Sequence, residues 1–119
     1  TSLPEFWSCA NKNLVGPGAV LKNAVLSNQT LDNMNLQGAT LDGAKLDGAT
    51  LLTTNLLSSS CIGTDFSNAN LTDAKLNGAN LASVTWTDTT CPDKTKTNAA
   101  DSTCCTHLLS GETASAGCN

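Results

Sequence analysis

Every fifth residue from 21 to 91 is large and apolar, or a cysteine, without one slip of register: Leu21, Leu26, Leu31, Leu36, Leu41, Leu46, Leu51, Leu56, Cys61, Phe66, Leu71, Leu76, Leu81, Trp86 and Cys91. A helical period of 3.6 would scatter these side chains around a cylinder, and a strand period of two cannot keep odd steps of five on one face. A chain that holds them on one surface turns a corner every five residues. Two places before the large residue stands a small one in most units: Ala19, Ala24, Ala39, Ala44, Ala49, Ala69, Ala74 and Ala79. Two places after it stands Gly, Asn or Asp in twelve of the fifteen units. Those residue types tolerate φ > 0, as the third position of a type II turn requires. The small and the large residue point inward, and the remaining, mostly polar positions point outward. One such unit cannot bury its own apolar residue, so units have to stack.

Composition limits what the stack can be. The 119 residues suit one small domain. The hydrophobic fraction is 39% but the aromatic fraction only 3%, so the core is built from small aliphatic layers. A net charge of −4 with no arginine argues against a nucleic-acid partner, which needs a basic footprint. No apolar run is long enough to span a membrane. The stretch Thr1-Ser2-Leu3-Pro4 lacks the basic and apolar regions of a signal peptide, so none is expected within these residues. Three segments are expected: a lead-in over 1–18 broken by Gly16-Pro17-Gly18, the repeat over 19–95, and a polar, cysteine-rich tail over 96–119 in which 98–109 suits a short helix. Six cysteines, clustered toward the ends, read as staples formed in an oxidising compartment.

The units Ala39-Thr40-Leu41-Asp42-Gly43, Ala44-Lys45-Leu46-Asp47-Gly48, Ala69-Asn70-Leu71-Thr72-Asp73 and Ala79-Asn80-Leu81-Ala82-Ser83 resemble the A(D/N)LXX motif of pentapeptide-repeat proteins, over about two-thirds of the chain. The resemblance implies an all-β fold, a right-handed quadrilateral β-helix with one pentapeptide per face and four per coil. Fifteen units then make just under four coils, a rod roughly 18 Å long at the ~4.8 Å strand spacing. Residues twenty apart stack, giving the ladders Leu21-Leu41-Cys61-Leu81, Leu26-Leu46-Phe66-Trp86, Leu31-Leu51-Leu71-Cys91 and Leu36-Leu56-Leu76. The bore is filled, and Trp86 is expected to plug its C-terminal end. Open rod ends invite sheet-edge association, so caps are expected: Phe6 and Trp7 at one end, the tail at the other. Cys91-Pro92-Asp93 followed by Cys104-Cys105 is similar to endings of cyanobacterial and plastid members. Cys91 is expected to bond Cys104 or Cys105, and Cys118 the other of that pair. Cys61 reads as a buried free thiol, and Cys9, at the opposite end, as free or intermolecular.

Where the repeat departs from its pattern, a surface is suggested. Thr53 and Ser58 replace the Gly or Asn of the corner. Because β-branched Thr53 resists φ > 0, this coil is expected to use a different turn. In the same stretch Leu52, Leu57 and Ile62 occupy outward positions on three successive faces and form a partial apolar belt, a candidate partner surface. Asp32, Asp42 and Asp47 read as a solvated acidic belt. Asn28-Gln29-Thr30 and Asn70-Leu71-Thr72 match the glycosylation acceptor pattern at the rate such a composition produces by chance. Cys104, Cys105 and His107 have no second ligand pair at metal-site spacing, and His107 has no nucleophile or orienting partner around it in sequence; it reads as a solvated tail histidine.

These readings converge on a non-enzymatic scaffold without cofactor, metal or small-molecule substrate, whose partners are other proteins. The family resemblance implies a thylakoid lumen or periplasm, and an accessory subunit docked peripherally on a membrane complex such as a photosystem. The alternative it implies is a DNA mimic that binds gyrase, as the quinolone-resistance members do; those are longer, more acidic rods.

Overall fold

The computed structural model describes residues 8–10 and 13–118, with side chains from Val15 onward. Phe6 and Trp7 lie outside the described residues, as does the Cys9 side chain. Only two strands of conventional length occur among them: β1 (Ser8–Ala10) and β2 (Asn13–Val15), an antiparallel hairpin. From there to Cys91 the sheet consists of single parallel bridges twenty residues apart: Val20 to Thr40 to Ser60 to Asn80, Val25 to Lys45 to Asp65 to Thr85, Thr30 to Thr50 to Asn70 to Thr90, and Asn35 to Asn55 to Lys75. A corner every five residues leaves room for one ladder pair per face, so the all-β character resides in bridges rather than strands. All fifteen large positions are buried, from Leu21 to Cys91. Each fully buried leucine contributes about 2 kcal/mol.

The backbone of each unit is satisfied in a fixed way. The N–H of the large residue donates to the next coil (Leu21 to the Thr40 carbonyl, 2.7 Å), as does the N–H two places on (Asn23 to Asp42, 2.8 Å). The third N–H on closes the corner (Ala24 to Leu21, 3.0 Å), and the fourth on donates to the previous coil (Thr40 to Ala19, 2.8 Å, in the next turn of the chain). One N–H per unit, directly after the large residue, has no ladder acceptor. The Asn or Asp directly before the large residue accepts it: Leu57 to Asn55 at 3.0 Å, Ser67 to Asp65 at 2.9 Å, Ala82 to Asn80 at 3.1 Å. The D/N of the motif is thus a local cap for the one amide the ladder leaves over.

Every corner from Asn23 to Asp88 has the residue two places after the large one at positive φ, Thr53 (φ 55°) and Ser58 (φ 56°) included. The expectation of a different turn at Thr53 is therefore wrong. Ladder bonds on both sides of the corner (Thr53 N–H to Thr72, 3.0 Å; Asn55 N–H to Met34, 2.9 Å) hold it in register, and they outweigh the roughly 1–2 kcal/mol that a left-handed conformation costs an L-residue. Glycine at 43 and 48 leaves room for the side-chain ends of Asn23 and Asn28 in the coil below, whose Oδ1 atoms lie 2.2 Å from where a Cβ would stand and would have to turn aside for one. Where threonine replaces the small alanine, its hydroxyl stays buried and donates to the carbonyl of the large residue one coil back, as Thr54 to Leu31 (2.8 Å), Thr64 to Leu41 (2.7 Å) and Thr89 to Phe66 (2.8 Å).

Candidate functional site

With the bore closed by side chains, chemistry is confined to the outer faces and the two ends. On the faces, Leu52 and Leu57 are half-buried and Ile62 is 41% exposed. Thr50 and Ser60, which precede Leu51 and Cys61, cannot cap the next amide as Asn does. The carboxylates of the coil below take that role: Asp32 accepts the Leu52 N–H at 2.9 Å, and Asp42 accepts both the Ile62 N–H (3.0 Å) and the Ser60 hydroxyl (2.6 Å). Asp47 accepts from Ser27 at 2.5 Å. The three aspartates are therefore structural acceptors that tie coils together, rather than a merely solvated belt. Two apolar residues that the sequence analysis passed over are more exposed than the belt itself: Val20 (80%) and Val25 (49%), on the first coil. Their signal was present, a valine directly before the large residue, where other units carry Asn, Asp, Thr, Ser or Lys.

At the C-terminal end the ladder runs through Pro92, whose carbonyl accepts the Asp73 N–H at 2.9 Å. The chain then reverses. Lys94, not Asp93, takes positive φ (76°), the Lys94 N–H closes on Cys91 (2.8 Å), the Cys91 N–H donates to Thr95 (2.7 Å), and Thr90 pairs antiparallel with Lys96. This is a type I turn followed by a left-handed residue, the common three-residue hairpin connection. Beyond it, residues 98–109 form bends and turns, not the expected helix. Trp86 is buried at 7% exposure and stacked on Phe66, ring centroids 5.5 Å apart. The Thr97 hydroxyl donates to the Trp86 carbonyl and accepts the Thr89 N–H (2.9 Å). Disulfides join Cys91 to Cys104 and Cys105 to Cys118, each closing a separation of 13 residues. The returning tail then lies on the last coil as a strand would: Gly78 donates to Thr113 (2.7 Å), Leu81 to Ala116 (2.9 Å), and Ser115 to Ala79 (2.8 Å). Glu112 accepts the Leu76 N–H at 3.0 Å, where a further coil would have offered a carbonyl. Gly117 is obligatory, since a Cβ there would lie 2.3 Å from the Leu81 carbonyl carbon and the Ala82 nitrogen.

The family model for pentapeptide repeats matches residues 19–56 and 54–85 in eight copies, more than half of the chain. The chain belongs to the pentapeptide repeat family. Its fold is accordingly the family's right-handed β-helix. Among solved structures, a pentapeptide repeat protein from the Arabidopsis thaliana thylakoid lumen is similar at 30% identity and a TM-score of 0.60, with 61% of this chain and 50% of that chain covered. A pentapeptide repeat protein (Rfr23) from the cyanobacterium Cyanothece 51142 aligns at 30% identity, TM-score 0.44, over 60% of this chain and 52% of that one. HetL from Nostoc, a pentapeptide repeat protein involved in heterocyst differentiation regulation, aligns at 30% identity, TM-score 0.32, over 65% and 42%. The chain thus spans about half the length of these relatives. No curated protein matches it. Pentapeptide repeat proteins are generally non-enzymatic structural or interaction proteins.

Three titratable groups of this pentapeptide repeat protein, His107, Asp93 and Cys61, have shifted pKa values for clear reasons. His107 is not solvated as expected: Nε2 contacts Asp101 (2.5 Å) and Nδ1 contacts Asp93 (2.8 Å). The Asp101 carboxylate, then that of Asp93, raises the imidazole above its usual 6.5. Partial burial opposes ionisation of Asp93, but the Thr95 N–H and His107 outweigh it and lower its pKa below 3.8. With both ring nitrogens held by carboxylates, the imidazole has no free nitrogen for a substrate proton; it clamps the hairpin to the tail. Because the histidine pKa is raised, its contribution is complete below 6.5 and is lost as pH rises through the elevated value. Because that of Asp93 is lowered, its contribution is complete above 3.8 and is lost as pH falls through the depressed value. Urea midpoints measured across pH should therefore be highest between those limits and decline on the alkaline side, and His107→Gln should flatten the alkaline decline.

Cys61 is fully buried beside the Ser59 hydroxyl (3.5 Å), and burial pushes its thiol up to about 11. A thiol so raised carries almost no thiolate at neutral pH. An aromatic disulfide reagent at pH 8 should leave Cys61 unmodified in the native protein and label it promptly in urea.

Proposed function

We propose that the protein is a non-enzymatic scaffold of an oxidising compartment, the thylakoid lumen or a periplasm, that docks on another protein through the mid-rod belt of Leu52, Leu57 and Ile62. The docking partner is a membrane complex approached from its peripheral side, as an accessory subunit would approach a photosystem. The observation that carries this reading is the pairing of a solid bore with outward aliphatic side chains whose backbone is fixed from below by Asp32 and Asp42. A rigid, flat-faced rod with ordered apolar side chains presents its surface without an ordering cost on binding. The two disulfides of the C-terminal cap and the likeness to a thylakoid-lumen protein support the compartment. The test is affinity capture from solubilised membranes of the native source with wild type and Leu52→Ser/Leu57→Ser. One set of membrane-complex subunits retained by the wild type and lost with the variant is expected. Retention of the same subunits by both proteins would remove the belt from the docking surface.

A further inference from the structure

Among the described residues, one edge of the last coil is left unpaired. On the face that carries Leu26, Leu46, Phe66 and Trp86, the same three bonds join each coil to the next. The carbonyl of the small residue accepts (Ala24 from Lys45, 2.9 Å; Ala44 from Asp65, 3.0 Å; Thr64 from Thr85, 3.0 Å). The N–H of the large residue donates (Leu26 to Lys45, 2.8 Å; Leu46 to Asp65, 2.8 Å; Phe66 to Thr85, 3.0 Å), and so does the N–H two places on (Asn28 to Asp47, 2.9 Å; Gly48 to Ser67, 2.8 Å; Asn68 to Thr87, 2.8 Å). In the fourth coil the equivalent groups are the Val84 carbonyl and the N–H groups of Trp86 and Asp88, and none has a hydrogen-bond partner among the described residues. The tail serves the two faces before this one through Glu112, Thr113 and Ala116 and the face after it through Thr97, and none of its described residues pairs with this edge. Between the edge and the tail lies a cleft of about 270 Å³, with Trp86, Thr87 and Asp88 on one wall and Thr97, Asn98 and Ser102 among the residues of the other.

We infer that this edge is a β-augmentation site that takes an extended segment of a partner protein, running parallel to residues 84–88. One residue of that segment gives its N–H to the Val84 carbonyl and its C=O to the Trp86 N–H; the residue two places on gives its C=O to Asp88. Main-chain bonds of this kind supply affinity, and side-chain pockets supply choice of partner. The ladder fixes direction and register, because three coils show how the position is filled. Occupancy by something other than a consecutive coil has a precedent in the molecule itself, the tail strand on the adjoining face at Asn80. The residue facing Trp86 must be small, since the indole is already nearly covered, and the segment neutral or basic, since Asp88 is exposed at the rim. The cleft falls below the usual size of a drug-like ligand pocket, which favours a strand over a small molecule.

The test extends the chain beyond Asn119 by Gly-Thr-Ala-Thr. Continued in the tail's own register, this brings the new carbonyls to the edge at high effective concentration. A free, capped Lys-Thr-Ala-Thr-Lys peptide titrated to millimolar levels is the second probe. Amide exchange at Trp86 and Asp88 should slow by about tenfold in the extended chain. Their resonances should move in the same direction with the free peptide, while those of Phe66 and Asn68 stay fixed. Ala99→Trp, on the tail wall of the cleft, should abolish both effects. Unchanged Trp86 and Asp88 amides with both probes, or changes that survive Ala99→Trp, would overturn the inference. The belt variant Leu52→Ser/Leu57→Ser leaves this edge intact, so the two surfaces fail or succeed separately.

Discussion

Phe66→Ala is expected to destabilise the protein by about 3–5 kcal/mol, the largest loss of any single truncation in the rod. Phe66 is the largest side chain that is fully buried, held between Leu46 below and the stacked indole of Trp86 above. The backbone ladder runs through Thr85 and Lys45 on either side, so the coils cannot close on the void without breaking parallel bridges that are already only one residue long. The loss therefore contains the transfer energy of the ring, the stacking with Trp86 and an unrelaxed cavity. Thermal unfolding should show it as a fall in midpoint of roughly 10–20 °C. Leu36→Ala, on one of the three ladders without an aromatic residue, should cost less, about 2–4 kcal/mol. Equal losses at the two positions would contradict the packing described.

The second large effect concerns the cap. Removing the disulfide between Cys91 and Cys104 with paired serines should cost about 3 kcal/mol through loop entropy alone. It leaves two buried hydroxyls where sulfurs were, each costing about 1–3 kcal/mol if unpaired. The Cys105–Cys118 bond closes a loop of the same separation, but its sulfurs belong to half-buried residues. Its paired-serine variant should lose only the entropic part. The two variants, compared by urea unfolding under identical conditions, should therefore rank with Cys91→Ser/Cys104→Ser clearly lower. The consequence is also local: Cys91 is the last member of the ladder headed by Leu31, and the hairpin it anchors delivers Thr97 to the carbonyl of Trp86. In a background where Trp7 is replaced by Phe, fluorescence of Trp86 should shift to the red in this variant before global unfolding begins.

The repeat was legible because its period has one geometric solution. Leucines at steps of five, alanines two before and corner residues two after leave no other way to bury every large side chain. Thr53 shows the limit of local propensity. A β-branched residue argues against a left-handed corner, but ladder bonds on each side decide the matter and propensity yields to register. His107 shows a different limit. Its partners, Asp93 and Asp101, are fourteen and six residues away and meet it only because the chain reverses at Lys94. That reversal departs from the repeat, so nothing in the repeat forecast it, and the helix read into 98–109 failed for the same reason. The aspartates at 32 and 42 looked like solvated charge because their acceptor role depends on what stands twenty residues later. The belt at Leu52, Leu57 and Ile62 was visible as an exception to a polar position, and Val20 and Val25 were just as legible as valines at another otherwise polar position, directly before Leu21 and Leu26.

Residue-by-residue amide hydrogen exchange most directly tests the claim that a ladder with a twenty-residue step organises the chain and leaves the 84–88 edge of the last coil unpaired among the described residues. The account predicts strong protection at Leu26, Leu46 and Phe66 and at Asn28, Gly48 and Asn68. It predicts equal or somewhat weaker protection at Gly78 and Leu81, whose acceptors come from the returning tail, and rapid exchange at Trp86 and Asp88 in the absence of any partner. Protection of Trp86 and Asp88 as strong as that of Phe66 and Asn68, or rapid exchange at Gly78 and Leu81, would contradict it.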